Sequence, residues 1–337
     1  MIVCVTGCAG FLGSHLAERL IKDCHQVVGI DNLIGGELEN VPEGVQFHNV
    51  DCTNLDEMKE IFCGDYIELV YHCAASPHEG LSVFSPVVVN QNTYMSTVAI
   101  ATAAIASGHL KRFVFCSSMS RYGYGGQPPW MEHWNVDAVD PYGIAKVACE
   151  SFLYHMSKPH NFELVVAIPH NIYGPRQRYY DPYRNVASIM INRILQGKPP
   201  IIYGDGEQKR CFSYIDDCIE PLIKMGFQEG LNGQLFNIGP DHNPITINQL
   251  AELLTEMMDF DQAPIHYPDR PCEVKEAWPS SDKARLVLGY ESKTSLAVGM
   301  QELIDWIISK GPREFEYSLP IEIQSDKTPE TWAKKVF

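Results

Sequence analysis

Tyr142 and Lys146 stand four residues apart in the stretch DPYGIAK. On a helix that spacing puts a phenol and an ammonium on one face. A neighbouring ammonium favours phenolate and draws a phenol down from about 10, so Tyr142 is a candidate general base. Because YxxxK is common by chance, its weight comes from its company. The stretch Cys116-Ser117-Ser118-Met119-Ser120-Arg121-Tyr122-Gly123 sets three hydroxyls just past an apolar run, with Ser118 the candidate partner of Tyr142. Further upstream, Gly7-Cys8-Ala9-Gly10-Phe11-Leu12-Gly13 repeats glycine every third residue between an apolar run and a helical pattern. Glycines there let backbone approach a pyrophosphate, and the helix N-terminus adds N–H donors and a favourable dipole.

Asp31 closes the next apolar run, 18 residues after Gly13, where a carboxylate would accept from a ribose hydroxyl. Asn32, Leu33 and Ile34 bring no positive charge for a 2′-phosphate, so NAD is expected rather than NADP. Asp51 is a candidate adenine contact or a plain turn aspartate. No His/Cys/Asp/Glu spacing suggests a metal site, and there is no G-x-S-x-G elbow of a hydrolase. His72, in an apolar run, reads as a packed core residue; His15 and His25 read as structural.

These groups need a scaffold. Residues 2–6, 26–30, 69–73, 112–116 and 163–168 are short apolar runs, and amphipathic stretches separate them; Leu12, Leu16 and Leu20 share one helical face. Strands alternating with helices imply βαβ crossovers. The expected fold class is therefore α/β, a Rossmann doubly wound parallel sheet with a smaller C-terminal substrate domain. Residues 1–170 would form the NAD-binding domain, with a segment at about 211–240 returning to it. Residues 171–337, less that segment, would form the substrate domain and a tail. Helical patterns recur at 93–107, 142–157, 247–258 and 299–309. The 312–337 tail has no helical period and is expected to pack as an extended strap or to fray.

The chain has 337 residues, enough for about two domains and a core that needs no disulfides. Lysine and arginine total 26 against 42 acids, a net charge of -16. That balance argues against nucleic-acid and anionic-membrane partners. The 11 cysteines form no CxxC, and several lie inside apolar runs, so a reduced, cytoplasmic setting is expected. No targeting segment and no membrane span are apparent. Within this acidic chain, residues 176–210 hold seven basic residues and three acids. Such an island suits an anionic ligand such as a diphosphate, or is simply a solvated helix face.

The motifs TGCAGFLGSHL, VYHCAA, FVFCSSMSRYG, DPYGIAKVACE, HNIYGPRQ, GDGEQKRCFSYIDD and DRPCEV occur in this order. In that order they resemble the extended short-chain dehydrogenases/reductases, in the nucleotide-sugar epimerase/dehydratase branch and most like the UDP-glucose 4-epimerase group. The resemblance spans about residues 1–310. It implies a tightly held NAD bound through Gly7, Ala9, Gly10, Phe11, Leu12 and Gly13, then Asp31, Asn32, Asp51 and Cys52. Cys73, Ala74, Ala75, Asn92, Ser117, Tyr142, Lys146, Pro169, Asn171 and Ile172 would line the rest of the cofactor site. Ser118, Tyr142 and Lys146 would be catalytic. A nucleoside-diphosphate sugar, with UDP the expected nucleotide, would lie against Ser76, Ser118, Met119, Ser120, Tyr142 and Asn171. Asn171, Arg210 and Arg270 would take the diphosphate, and Arg178 and Arg184 could reach the sugar. Arg121 would hold a substrate carboxylate or pair with an acid. A homodimer through the 93–107 and 142–157 helices is also implied.

Three departures matter. Met119-Ser120 stand where sugar dehydratases carry Asp-Glu and UDP-glucuronate decarboxylases carry a glutamate at the second position. Pro77 replaces a lysine frequent in galactose epimerases. Pro169-His170 replace aromatic residues before Asn171. The expected function is thus an NAD-dependent 4-epimerase of a UDP-hexose or UDP-hexuronate. The alternatives are a dehydratase whose second base is Cys116, Cys149, His78 or Tyr173, and a catalytically silent NAD-binding regulatory protein.

Overall fold

Apolar runs without alternation require burial on both faces, which the interior of a parallel sheet provides. In the computed structural model, which describes residues 1–337, these runs form one seven-stranded sheet. Its spatial order is Gln234–Ile238, Glu163–Pro169, Arg112–Cys116, Ile67–His72, Ile2–Thr6, Gln26–Asp31 and Gln46–Asn49. Every neighbouring pair is parallel. Chain order reverses beside Ile2–Thr6, and the crevice at the carboxyl ends of the strands there is where such sheets take ligands. Cys73 lies just beyond its strand rather than in it.

Helices cover both faces. On one, Leu55–Gly64, Ser96–Ala106 and Pro141–His160 close over a 24-residue apolar cluster. On the other, Phe11–Lys22 and Ile215–Phe227 share a 42-residue cluster with Val186–Leu195, Ile247–Met257 and Leu296–Lys310. That second core runs unbroken from the central sheet into the C-terminal part. There, short strands pair Ile201–Tyr203 with Ile265–Tyr267 and set Lys209–Arg210 between Ile245–Thr246 and Glu276–Ala277. The helix expected over 93–107 starts earlier, at Pro86, and runs to Ala106 with a π-helical turn at Gln91–Met95.

Pro141–His160 starts where its sequence dictates. Asp140 caps it by accepting from the Gly143 amide at 2.9 Å, and Pro141 occupies the first turn, where its missing N–H costs nothing. Asn161 ends it in the left-handed region at φ 62°.

The 312–337 tail is a strap, with one helical turn at Glu330–Ala333 that its sequence did not lead us to expect. The Glu322 carboxylate accepts from the Val87 and Val88 amides at 2.8 and 2.9 Å, capping a helix that Ser85 leaves uncapped. On the C-terminal part, Asn192 donates to the Arg313 carbonyl at 2.9 Å, and the Tyr183 hydroxyl donates to the Leu319 carbonyl at 3.2 Å. Trp332 is buried among Phe84, Tyr183 and Tyr203 and donates to the Pro182 carbonyl at 3.2 Å. All eleven cysteines are free thiols. No helix is long and apolar enough to cross a membrane.

Candidate active site

The glycine loop is tight because strand, loop and helix meet there. Gly7 has φ +71°, and a Cβ on it would come within 2.9 Å of the Ala74 amide nitrogen. At Gly13 a Cβ would sit 2.1 Å from the Gly7 carbonyl oxygen. Gly10 precedes Phe11–Lys22 without any side-chain cap, which leaves the first-turn amides free for an anion. Asp31 is fixed by accepting from the Ala9 amide at 3.0 Å and the Leu33 amide at 2.8 Å. Burial holds its carboxyl above the usual range in spite of these bonds. The lysines and arginines that line the cleft are Lys146, Arg184, Arg210 and Arg270, none of them in the segment after Asp31. A glycine cradle that admits no Cβ, an open helix N-terminus and a fixed ribose acid fit NAD.

One cleft of about 490 Å³ gathers most of the expected residues. Gly7, Gly10, Phe11, Leu12, Gly13, Asp31, Asn32, Asp51 and Cys52 line its cofactor end. Cys73, Ala74, Ala75, Asn92, Ser117, Lys146, Pro169, Asn171 and Ile172 line its middle, Asn92 from the π-helical turn. Ala9 does not line it; that residue is wholly buried and its amide is engaged by Asp31.

Ser118, Tyr142 and Lys146 do come together on the cleft wall. The Lys146 ammonium, however, donates to the Cys116 carbonyl at 2.6 Å and lies 5.7 Å from the centre of the Tyr142 ring. Burial disfavours its charge and lowers its pKa. The expected lowering of the Tyr142 pKa by Lys146 is therefore not what the structure delivers. Burial first, and the Glu79 charge second, push the phenol well above its ordinary value, while Arg184 and the Ser118 hydroxyl work the other way.

The cationic island mostly disperses. Arg176 pairs with Glu18 at 3.1 Å, Lys209 with Glu276 at 3.0 Å, and Arg193 donates to the Pro199 carbonyl at 2.8 Å. Arg178 lies outside the cleft, stacked over Tyr180 and paired with Glu316 at 3.0 Å. Arg121 likewise does not line the cleft. The turn Met119–Arg121 carries it to the flank of the catalytic helix, where it grips Glu150 through two bonds of 3.0 and 2.9 Å. Ser76, Met119, Ser120, Arg184, Arg210 and Arg270 do face the cleft. Arg270 donates to Glu273 at 3.0 Å, and Arg210 approaches the same carboxylate at 3.8 Å. Two guanidiniums sharing one carboxylate leave a net positive charge toward the cleft, which suits a diphosphate.

Sequence reasoning missed Glu273, Glu79 and the strap's place in the cleft wall. Glu273 lies inside DRPCEV, so the signal was present. Glu79 bears no spacing relation to YxxxK and becomes visible only when the Glu79–Ser82 turn folds against Ser120, whose hydroxyl donates to it at 2.7 Å. Ser318, Leu319 and Phe337 bring the strap into the cleft wall. Asp181 orients His78 at 3.0 Å, and His78 in turn contacts Ser76 at 3.0 Å. His72 is buried between Thr6 and Thr97 at 2.7 and 2.9 Å. No group of His, Cys, Asp and Glu side chains is arranged to hold a metal ion.

Comparison with known proteins agrees with this geometry. The family model described as "NAD dependent epimerase/dehydratase family" matches residues 3–239. A UDP-glucose 4-epimerase of Mycolicibacterium smegmatis is 30% identical over 313 residues, covering 91% of this chain and 98% of that protein. The crystal structure of a Thermotoga maritima UDP-glucose 4-epimerase with UDP-glucose superposes with a TM-score of 0.87 at 31% identity, covering 92% of this chain and 99% of that one. A Bacillus cereus UDP-glucuronic acid 4-epimerase with UDP-glucuronic acid and NAD gives 0.84 at 29%, covering 92% and 100%. With its glycine cradle, ribose acid and Ser-Tyr-Lys wall, this chain belongs to the NAD-dependent epimerase/dehydratase family, and NAD is its cofactor.

Proposed function

We propose that this chain is a UDP-sugar 4-epimerase that works through a transient 4-keto sugar. The observation that carries the reading is that Ser118 and Tyr142 line one cleft with both the glycine cradle and the Arg210–Arg270 pair. Bound NAD supplies the acceptor for the C4 hydride and its donor on return. Tyr142, as phenolate, takes the proton of the sugar 4-hydroxyl, and Ser118 holds that oxygen. Arg210 and Arg270 keep the diphosphate in place while the keto sugar turns its other face to the cofactor. Buried Lys146 fixes the backbone at Cys116, and so the loop that presents Ser118. A hexose and a hexuronate both remain within this reading; the latter is supported by Arg184, the one cleft-lining arginine with no ion pair.

The test is chromatography with mass detection after incubating the purified protein with UDP-, dTDP- and GDP-sugars. A product of unchanged mass supports epimerisation and names the substrate. Dehydration is the second reading, favoured by the Glu79 carboxylate at Ser120; a product lighter by about 18 mass units would establish it and overturn the first. Exposed Met95, Ile144 and Tyr154 on the two helices named above support a homodimer, and light scattering would read its mass.

A further inference from the structure

Of the eleven cysteines, two are hydrogen-bonded to each other: the Cys73 and Cys116 thiols meet Sγ to Sγ at 3.5 Å. The sheet puts them there. His72 and Phe115 are partners on neighbouring parallel strands, and Cys73 and Cys116 follow them in register. Residues paired in this way point to the same face of the sheet. Their backbones lie about 4.8 Å apart, inside the window of about 4.4–6.8 Å between Cα atoms that a disulfide tolerates. Closing the remaining gap between the sulfurs takes side-chain rotation, with little movement of the strands. Both residues line the cleft, Cys73 partly exposed and Cys116 4% exposed, so a small oxidant that enters the cleft meets them. The Cys73 hydrogen bond draws the Cys116 thiol below its ordinary value against burial, and the Lys146 charge adds to the effect. Thiolate is the form that attacks a peroxide. Cys116 also supports the catalytic wall: its carbonyl accepts from the Lys146 ammonium at 2.6 Å, and Ser118 follows two residues later.

We propose that Cys73 and Cys116 are an oxidation site in the cofactor cleft, closed to a disulfide by hydroperoxides, and that the closed form disables the catalytic wall. With hydrogen peroxide the chemistry balances in two steps. The Cys116 thiolate attacks one peroxide oxygen; an S–O bond forms, the O–O bond breaks, and the departing hydroxide takes up the thiol's proton as water. The Cys73 thiol then attacks the sulfenic sulfur; the S–S bond forms, the S–O bond breaks, and a second water leaves with the Cys73 proton. Two thiols have given up two electrons, and one peroxide has accepted them. The effect on turnover rests on the epimerase reading, whereas formation of the bond does not.

The test treats the NAD-loaded full chain with hydrogen peroxide, blocks the remaining thiols with a maleimide and maps the peptides without reduction. The parent protein should yield a species that joins the Cys73 and Cys116 peptides, lighter than their sum by the hydrogens lost. Its kcat should fall at least about tenfold against the untreated sample, and dithiothreitol should reverse both changes. In Cys73→Ser, compared with its own untreated sample, the sulfenic acid finds no partner. Cys116 should then pass on to sulfinic acid, and dithiothreitol should restore nothing. Cys73 and Cys116 peptides that both carry the maleimide overturn the proposal, as does a linked pair that leaves kcat unchanged. Exposed Cys272 also lines the cleft, so a loss of turnover that disappears in Cys272→Ser assigns the sensitivity there and overturns the proposal too. Should the untreated parent turn over no sugar nucleotide, the epimerase reading falls and the peptides alone decide: a linked pair supports the site, and two blocked thiols overturn it.

Discussion

Lys146 bonded to a backbone carbonyl and Tyr142 held as a phenol give the two residues different work, although their spacing presents them as one motif. Tyr142→Phe deletes the oxygen proposed to transfer the proton and little volume. It should abolish turnover while the protein still carries NAD, as read by releasing the cofactor with acid and quantifying it. Gly13→Ala should do the reverse at the other end of the cleft. A Cβ 2.1 Å from the Gly7 oxygen cannot be accommodated without moving backbone, so the variant should purify with its NAD content reduced several-fold. Near-normal occupancy would mean that the loop relaxes. The sequence exposed Tyr142 and Gly13 because each belongs to a local pattern. It could not place Arg121, whose partner Glu150 is 29 residues away on the next long helix and becomes a neighbour only through tertiary packing. Arg178 is the same case, since Glu316 lies on the strap.

Among elements, the catalytic helix depends most visibly on its first turn. Asp140 caps it, yet burial, with Glu79 adding to it, raises the Asp140 carboxyl to about 7. The unfolded chain ionises that group near ~3.9. Between those values the folded protein keeps a proton that the unfolded one has released, so this group makes stability fall as pH rises from about 4 to about 7. Asparagine caps equally well and stays neutral. Asp140→Asn should therefore gain thermal stability relative to the parent as pH moves from 5 to 8; a constant difference between the two proteins would assign the titration elsewhere. Asp140→Ala, which loses the cap, should cost about 1 kcal/mol in denaturant unfolding. The strands were readable because buried parallel strands are continuous apolar runs. The π-helical turn that delivers Asn92 to the cleft was not, because one extra residue per turn leaves no mark on so apolar a helix.

Across the whole molecule, the strap ties the Ser85–Val88 segment to the C-terminal part and closes one wall of the cleft. Trp332 is its anchor, 2% exposed among aromatic rings. Trp332→Ala should lose about 3–5 kcal/mol in denaturant unfolding and raise KM for the sugar nucleotide more than it lowers kcat. An unchanged KM would confine the strap to a packing role. The apolar core that joins the sheet to the C-terminal part was equally hidden from the sequence, where the two halves read as separate units.

The cleft takes its walls from Gly7 at one extreme and Phe337 at the other. In kinetic terms this is the slowest kind of object for a chain to make: nearly all of its loop-closure entropy is lost before the pocket exists. Cofactor and sugar can then steady only the finished molecule by mass action, and cannot template its early folding. Added NAD should slow unfolding and leave the rate-limiting refolding step unchanged.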